Sequence, residues 1–407
     1  MAEPAIDMRA ARPATGALGE RVDGVNRLQA IDILRGLVIV LMVLDHVRDF
    51  FYAGAFTFDP VDPQASYGAL YATRWVTHLC APAFVFLAGV SAFLKGERCA
   101  SRAALSRFLL TRGLWLILLE LTVVNFGWTF GAIGQFLQVI WAIGAGMVLL
   151  SGLIWLGPRA VLLIGVLIIA GHNLLDPINP SHLGEAAPLW NFAAEPGVAR
   201  PWGHILFIPY PAIPWLGIMC LGYGLGGLFL LPQETRIRWF VRAGLSFLAI
   251  FFALRGINLY GDPSHWTSLP EAGRTAMSFF NVTKYPPSLL FTLATLGPAF
   301  LLLAAFERLK GPVAEFFLTY GRVPLFVYVL HIYLAHLLQM AVGAAMGFPP
   351  STFVNAIFNP AGLPAEWGFG LAVVYLVWLL VLALLYPAAR WFGALKRRRR
   401  DWWLSYL

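Results

Sequence analysis

Two carboxylates, a histidine and an arginine stand together in Leu44–Phe51, LDHVRDFF, directly after the apolar run LRGLVIVLMV. On a helix Asp45 and Arg48 are three residues apart and Asp45 and Asp49 four, so all three share a face. One reading is a structural ion pair that fixes helix packing. The other is chemical: His46, with an unperturbed pKa near 6.5, is a proton acceptor at neutral pH. The choice depends on what else reaches the same depth.

The surrounding elements are set by composition. The 407 residues are 59% hydrophobic and 12% charged, against about 25% charged in a soluble domain, and mean hydropathy is +0.71. The expectation is an all-α, polytopic transmembrane helix bundle forming one membrane domain. At about 20 apolar residues per crossing, the sequence predicts ten helices. They lie near 31–52, 74–95, 106–126, 133–156, 159–176, 204–231, 237–258, 285–306, 314–343 and 367–390. The predicted organisation is a polar tail over 1–29, a membrane domain over 30–392 and a basic, aromatic tail over 393–407. No cleavable leader is read in the first segment, and the first helix is expected to serve as the targeting signal.

Basic residues fix the expected orientation. With the N-terminus inside, inner segments hold Arg9, Arg12, Arg21, Arg27, Lys95, Arg98, Arg102, Arg107, Arg159, Arg236, Arg238, Arg308, Lys310 and Lys396–Arg400. Outer loops hold only Arg200, Arg274 and Lys284, with Arg74 at a helix edge. This follows the positive-inside rule and places both termini in the cytoplasm. The net charge of +8 is therefore a topology signal, and no nucleic acid is expected as partner. The stretch KRRRRDWWLSYL suits anionic headgroups of a lipid bilayer. LGYGLGG (Leu221–Gly227) reads as close helix packing. Cys80, Cys99 and Cys220 are too scattered for a disulfide framework. No histidine pair has zinc-ligand spacing, and no metal is expected.

With this orientation the polar residues fall into two layers. Asp45, His46, Arg48, Asp49, His78, Glu120, Asn125, His172, Asn173, Asp176, Arg255, Asn258, Lys284, His331 and His336 lie in the outer third or at the outer boundary. Each ionisable group costs about 2.5–3.5 kcal/mol in mid-bilayer, so a ring of them implies a shared hydrated cavity. The prolines of IPYPAIPWLG, Pro209, Pro211 and Pro214, break helical bonding where only a wet or protein-lined site tolerates it. At the inner mouth sit Asp32, Arg35, Arg112 and Arg322, read either as topology signals or as a grip for phosphates.

Five blocks carry a resemblance: RLQAIDILRGLVIVLMVLDHVRDFF, RWVTHLCAPAFVFLAGVSAFL, IPYPAIPWLGIMCLGYGLG, TKYPPSLLFTLATLGP and YGRVPLFVYVLHIYLAH. Together they resemble the bacterial branch of the membrane-embedded acyltransferases related to heparan-alpha-glucosaminide N-acetyltransferase. The D-x-x-R-G entry (Asp32–Gly36) and the P-x-F-V-F-x-x-G core (Pro82–Gly89) are the most specific. The resemblance implies acetyl transfer from cytosolic acetyl-CoA, the acyl donor, to an amino-sugar or glycan acceptor at the outer face, in a bacterial inner membrane. Lysosomal members carry a catalytic histidine in the loop after helix one. Here that loop, Ala53–Thr73, has none, and His46 and His78 flank it.

The roles expected on this basis are specific. His46 or His78 takes the acceptor proton. Asp45 or Asp49 orients the imidazole. Arg48 or Lys284 stabilises the oxyanion. Lys284, Glu120 and His331 line the acceptor site, and Arg35, Arg112 and Arg322 hold the CoA phosphates. Cys80 as acyl carrier is a minor variant. The alternatives are a proton-coupled transporter or flippase of a small or lipid-linked solute, and a membrane scaffold. No repeated half supports the transporter. A homo-oligomer is allowed by composition, which does not distinguish lipid-facing from protein-facing surfaces.

Overall fold

The computed structural model describes residues 28–200, 203–399, 401 and 404. Most of the polar tail predicted over 1–29 lies outside these residues, as do Arg9, Arg12, Arg21, Arg27 and Arg400.

The protein is an all-α bundle. Its helices are α1 (Gln29–Phe51), α2 (Gly68–Thr77), α3 (Cys80–Gly96), α4 (Arg102–Leu119), α5 (Asn125–Thr129), α6 (Val139–Leu153), α7 (Pro158–Gly171), α8 (Ala187–Ala193), α9 (Ala212–Gly224), α10 (Gln233–Ile257), α11 (Ala272–Phe280), α12 (Leu289–Phe306), α13 (Pro312–Gly321), α14 (Pro324–Ala345) and α15 (Leu371–Arg398). Among the described residues eight helical stretches are long and apolar enough to cross a membrane. Two further elements complete the ten expected. One is α1, which carries Asp32, Arg35, Asp45, Arg48 and Asp49; the other is α7, a shorter apolar helix.

α1 is buried on nearly every side and packs against α3, α12, α13, α14 and α15. An element this enclosed can carry charges at its ends because protein, not lipid, surrounds them. The glycines of the two sequence motifs set the close crossings. A Cβ at Gly36 would fall 1.9 Å from the Phe317 carbonyl oxygen, and one at Gly89 2.0 Å from that of Met219. A Cβ at Gly222, within LGYGLGG, would meet the Phe86 carbonyl at 2.1 Å. Only hydrogen side chains let these backbones touch. α4, α10 and α15 turn apolar side chains outward, among them Leu114, Leu118, Leu245, Leu376 and Leu379.

Several expected helices are interrupted. The second is broken at His78–Leu79 into α2 and α3, and the ninth at Arg322–Val323 into α13 and α14, where Pro324 opens the new helix. The fourth and sixth begin as strands. β1 (Gly134–Phe136), β2 (Gly197–Ala199) and β3 (Ile205–Ile208) form a sheet in the order β1-β3-β2, with β1 parallel and β2 antiparallel to β3. The prolines of Pro209–Pro211 follow, and α9 starts only at Ala212. Apolar runs rich in Ile and Phe fit a strand as well as a membrane helix, and length alone did not separate them. The boundary placed at 392/393 falls inside α15, which runs on to Arg398.

Candidate functional site

The near end of the bundle, where α1 begins, holds the inner arginines; the far end, where α1 finishes, holds the buried charges. Arg74 of α2 gives both oxygens of Asp45 a hydrogen bond from Nη1, at 2.7 and 2.5 Å, and Thr77 adds a third at 2.9 Å. Arg48 Nη2 lies 2.6 Å from Asp49 and 3.2 Å from Asp45. Its Nη1 is enclosed and unpartnered. Lys284 is buried, with its ammonium 5.0 Å from the centre of the Tyr285 ring and within electrostatic reach of Asp45 and His46. Two carboxylates thus face two guanidiniums and one ammonium, a surplus of one positive charge.

His46 does not bond either carboxylate. Asp45 and Asp49 are held by arginines, so the expected acid-oriented imidazole is absent from this arrangement. Its Nδ1 instead lies 2.7 Å from Nε2 of His331, on α14. Nδ1 of His331 faces the Val327 carbonyl at 3.1 Å. A carbonyl can only accept, so His331 Nδ1 carries the proton and donates. With both rings neutral, His331 Nε2 is bare and His46 Nδ1–H donates to it. The lone pair of His46 is then on Nε2, which has no hydrogen bond among the described residues. This fixes the tautomer of a base by its partner.

Two aromatic side chains flank that ring. Trp128 stands edge-on to His46 with centroids 4.8 Å apart, and Tyr328 at 6.4 Å. Trp128 Nε1 and Tyr328 Oη are both enclosed, with the indole N–H directed toward the phenol oxygen. Tyr328 borders a cavity of about 280 Å³ lined also by Arg35, Arg112, Lys396 and apolar residues of α1, α3, α6 and α14. Trp128 belongs to a far-end cavity of about 210 Å³ with Asp49, Phe50, Tyr52, Gln339 and Trp367. His46 itself lines neither cavity, but its ring is flanked by one lining residue of each, one cavity opening among cations and the other walled by aromatics.

The remaining expected residues separate. Glu120 opens a π-helical turn, Glu120–Val124, and is fully enclosed. Its two oxygens accept from Gln138 N at 3.0 Å and Trp141 N at 3.2 Å, which satisfies amides at the start of α6. It caps a helix and lines neither cavity. His78 ends α2, edge-on to Phe291, with Nδ1 enclosed and unpartnered; it too lines neither. Cys80 directs its thiol at the Val38 carbonyl, 3.3 Å away. His336 is wedged between the Gly127 and Phe353 carbonyls, a packing position.

At the near end, Arg35 bonds Asp32 at 3.1 Å and also Ser91. It lines both the 280 Å³ cavity and a neighbouring one with Lys95, Arg98 and Arg236. Arg322 lies in a further cavity with Arg308 and Lys310, 3.6 Å from Glu315. Arg35 and Arg112 thus share a space that Arg322 does not. Trp128, Tyr328, Arg74, Gln339 and Lys396 were missed from sequence. The aromatics carried no polar signal, and Lys396 was read only as part of a lipid-binding cluster.

The sequence that builds this buried imidazole matches a family description. The catalytic-domain model of heparan-alpha-glucosaminide N-acetyltransferase matches residues 27–256. The chain belongs to that family. The matched span contains α1, His46 and both diagnostic motifs, and ends at the close of α10. His331 lies beyond it. No curated protein matches the chain.

Proposed function

We propose that the protein is a transmembrane acetyltransferase of a bacterial inner membrane. Acetyl-CoA enters at the near, cytoplasmic end, and an amino-sugar or glycan acceptor is acetylated from the far end. The observation that supports this reading most is the position of His46, between Tyr328 of the cation-mouthed cavity and Trp128 of the aromatic one.

Arg35, Arg112 and Lys396 hold the phosphates of CoA, whose flexible arm occupies the apolar cavity beyond them. The acceptor lies against Trp128, Phe50 and Trp367, surfaces suited to a sugar ring. Its amine or hydroxyl attacks the thioester carbonyl while Nε2 of His46 removes the proton. A bond from the acceptor atom to carbon forms, the carbon–sulfur bond breaks, and the proton passes to the departing thiolate. His331 accepts from Nδ1 throughout and keeps the ring in the reactive tautomer. The Tyr328 hydroxyl, enclosed beside His46, is free to donate its proton to the developing oxyanion, and the positive surplus around Arg48 and Lys284 favours it electrostatically. Neither Cys80 nor a covalent intermediate is needed, since a thioester is already activated.

The test is thermal unfolding of the purified full-length protein in detergent, with acetyl-CoA, CoA or neither. A ligand that binds the native state raises the melting temperature. The expected result is a shift with both, followed by acetyl transfer to glucosamine or a glycan bearing it. No shift at millimolar acetyl-CoA in folded protein would remove the donor site, and the His46 pair would then fit a proton pathway of a transporter instead.

A further inference from the structure

A second cluster lies apart from the His46 cavities, where α7 ends. His172 opens a short 3-10 turn, Asp176 follows one turn later, and Glu195 arrives from the segment after α8. One ligand atom from each lies within 4.8 Å of the others. His172 is only 5% exposed, and its Nε2 is enclosed without a hydrogen-bond partner. Asp176 is held in place by Asn173, whose Nδ2 donates to it at 2.9 Å and whose Oδ1 accepts from Leu289 N at 3.0 Å. A carboxylate oriented by an amide that is itself anchored is the outer-shell support seen around metal ligands.

The charge balance of the cluster is incomplete. Among the described residues no lysine or arginine pairs with Asp176 or Glu195. Two carboxylates and an unpaired imidazole nitrogen form a donor set that lacks a cation. One nitrogen and two oxygens suit Zn²⁺, with ligand distances of about 2.0–2.2 Å and a fourth position left open. In tetrahedral coordination at such distances ligand atoms lie about 3.3–3.6 Å apart, so the three side chains close by about an ångström when the ion binds.

We propose that His172, Asp176 and Glu195 form a Zn²⁺ site that clamps the 177–195 excursion to the end of α7. The ion neutralises the two carboxylates and fixes the segment leading into β2, and hence the sheet beside the far-end cavity. This site is independent of the acetyl-transfer reading, since it shares no residue with it.

The experiment uses full-length protein in detergent, stripped with EDTA and desalted, then titrated calorimetrically with Zn²⁺, with Mg²⁺ as an all-oxygen-preferring control. One saturable Zn²⁺ site per chain is expected, with no comparable Mg²⁺ binding. Glu195→Gln, a near-isosteric change at a half-buried loop position, should weaken Zn²⁺ at least tenfold, as should His172→Gln. Bound Zn²⁺ should also slow amide exchange over 177–195 in the wild type and not in Glu195→Gln. Absence of saturable binding to the wild type overturns the proposal. So does equal affinity in the wild type and Glu195→Gln, which would assign the ion to other histidines.

Discussion

At the residue scale the decisive feature is a hydrogen-bond chain, Val327 carbonyl to His331 to His46, that leaves one imidazole nitrogen bare. His46→Gln keeps a polar side chain of similar reach but cannot accept a proton from the acceptor. Turnover should fall by about 10²- to 10⁴-fold, the usual contribution of a general base, while acetyl-CoA affinity measured calorimetrically stays within threefold. Equal loss of both would show that His46 supports the fold of the donor cavity instead. His78→Gln should leave turnover nearly unchanged. Sequence placed His46, His78 and His331 at one depth, because depth follows from position along a helix. It did not show which faced which, because neighbours 285 residues apart are set by how helices are arranged around α1. Glu120 illustrates the same limit. Its depth suggested a wet cavity, but its face meets the start of α6, and its oxygens satisfy amides there.

At the scale of elements, the site depends on one backbone-to-backbone crossing built by two glycines. Gly36 brings α1 against α13, and Gly321 answers it from the other side, where a Cβ would lie 1.8 Å from the Asp32 carbonyl oxygen. The obstructing atoms are backbone, so they cannot rotate away. Gly36→Ala should therefore cost at least about 1–3 kcal/mol, the usual range for overpacking, and lower the melting temperature clearly. Gly152→Ala in α6, where a Cβ meets nothing within 4 Å, should not lower it. A Gly36→Ala protein as stable as wild type would mean that α1 and α13 do not cross this closely. The helices were legible as elements because apolar length is written along the chain. Their breaks were less so. Pro324 was legible as a helix start only once the extent of α13 was known. The strands β1 and β3 hid within apolar stretches that satisfied the membrane-helix criterion equally well.

At the scale of the whole molecule, the separation of two ends is what acetyl transfer across a membrane requires. The near-end cavities are joined through shared residues: Arg35 borders the 280 Å³ cavity and its neighbour, and Asp32 and Arg236 border that neighbour and the one holding Arg322. A nucleotide spread over this row would touch its cations unequally. Arg112 lines the apolar cavity that Tyr328 also borders, whereas Arg322 lies two cavities away beside Glu315. A charge-assisted hydrogen bond contributes about 1.5–3 kcal/mol, so Arg112→Gln should weaken acetyl-CoA by about 10- to 150-fold. Arg322→Gln should weaken it by less than threefold, since Glu315 already screens that guanidinium. The affinities are read by calorimetry on protein whose melting temperature without ligand is unchanged. If the order of the two effects is reversed, the phosphates sit at the Arg322 end of the row. The donor would then start beside Asp32, at the foot of α1, and the route through Arg35 and Arg112 proposed for this bundle would be overturned.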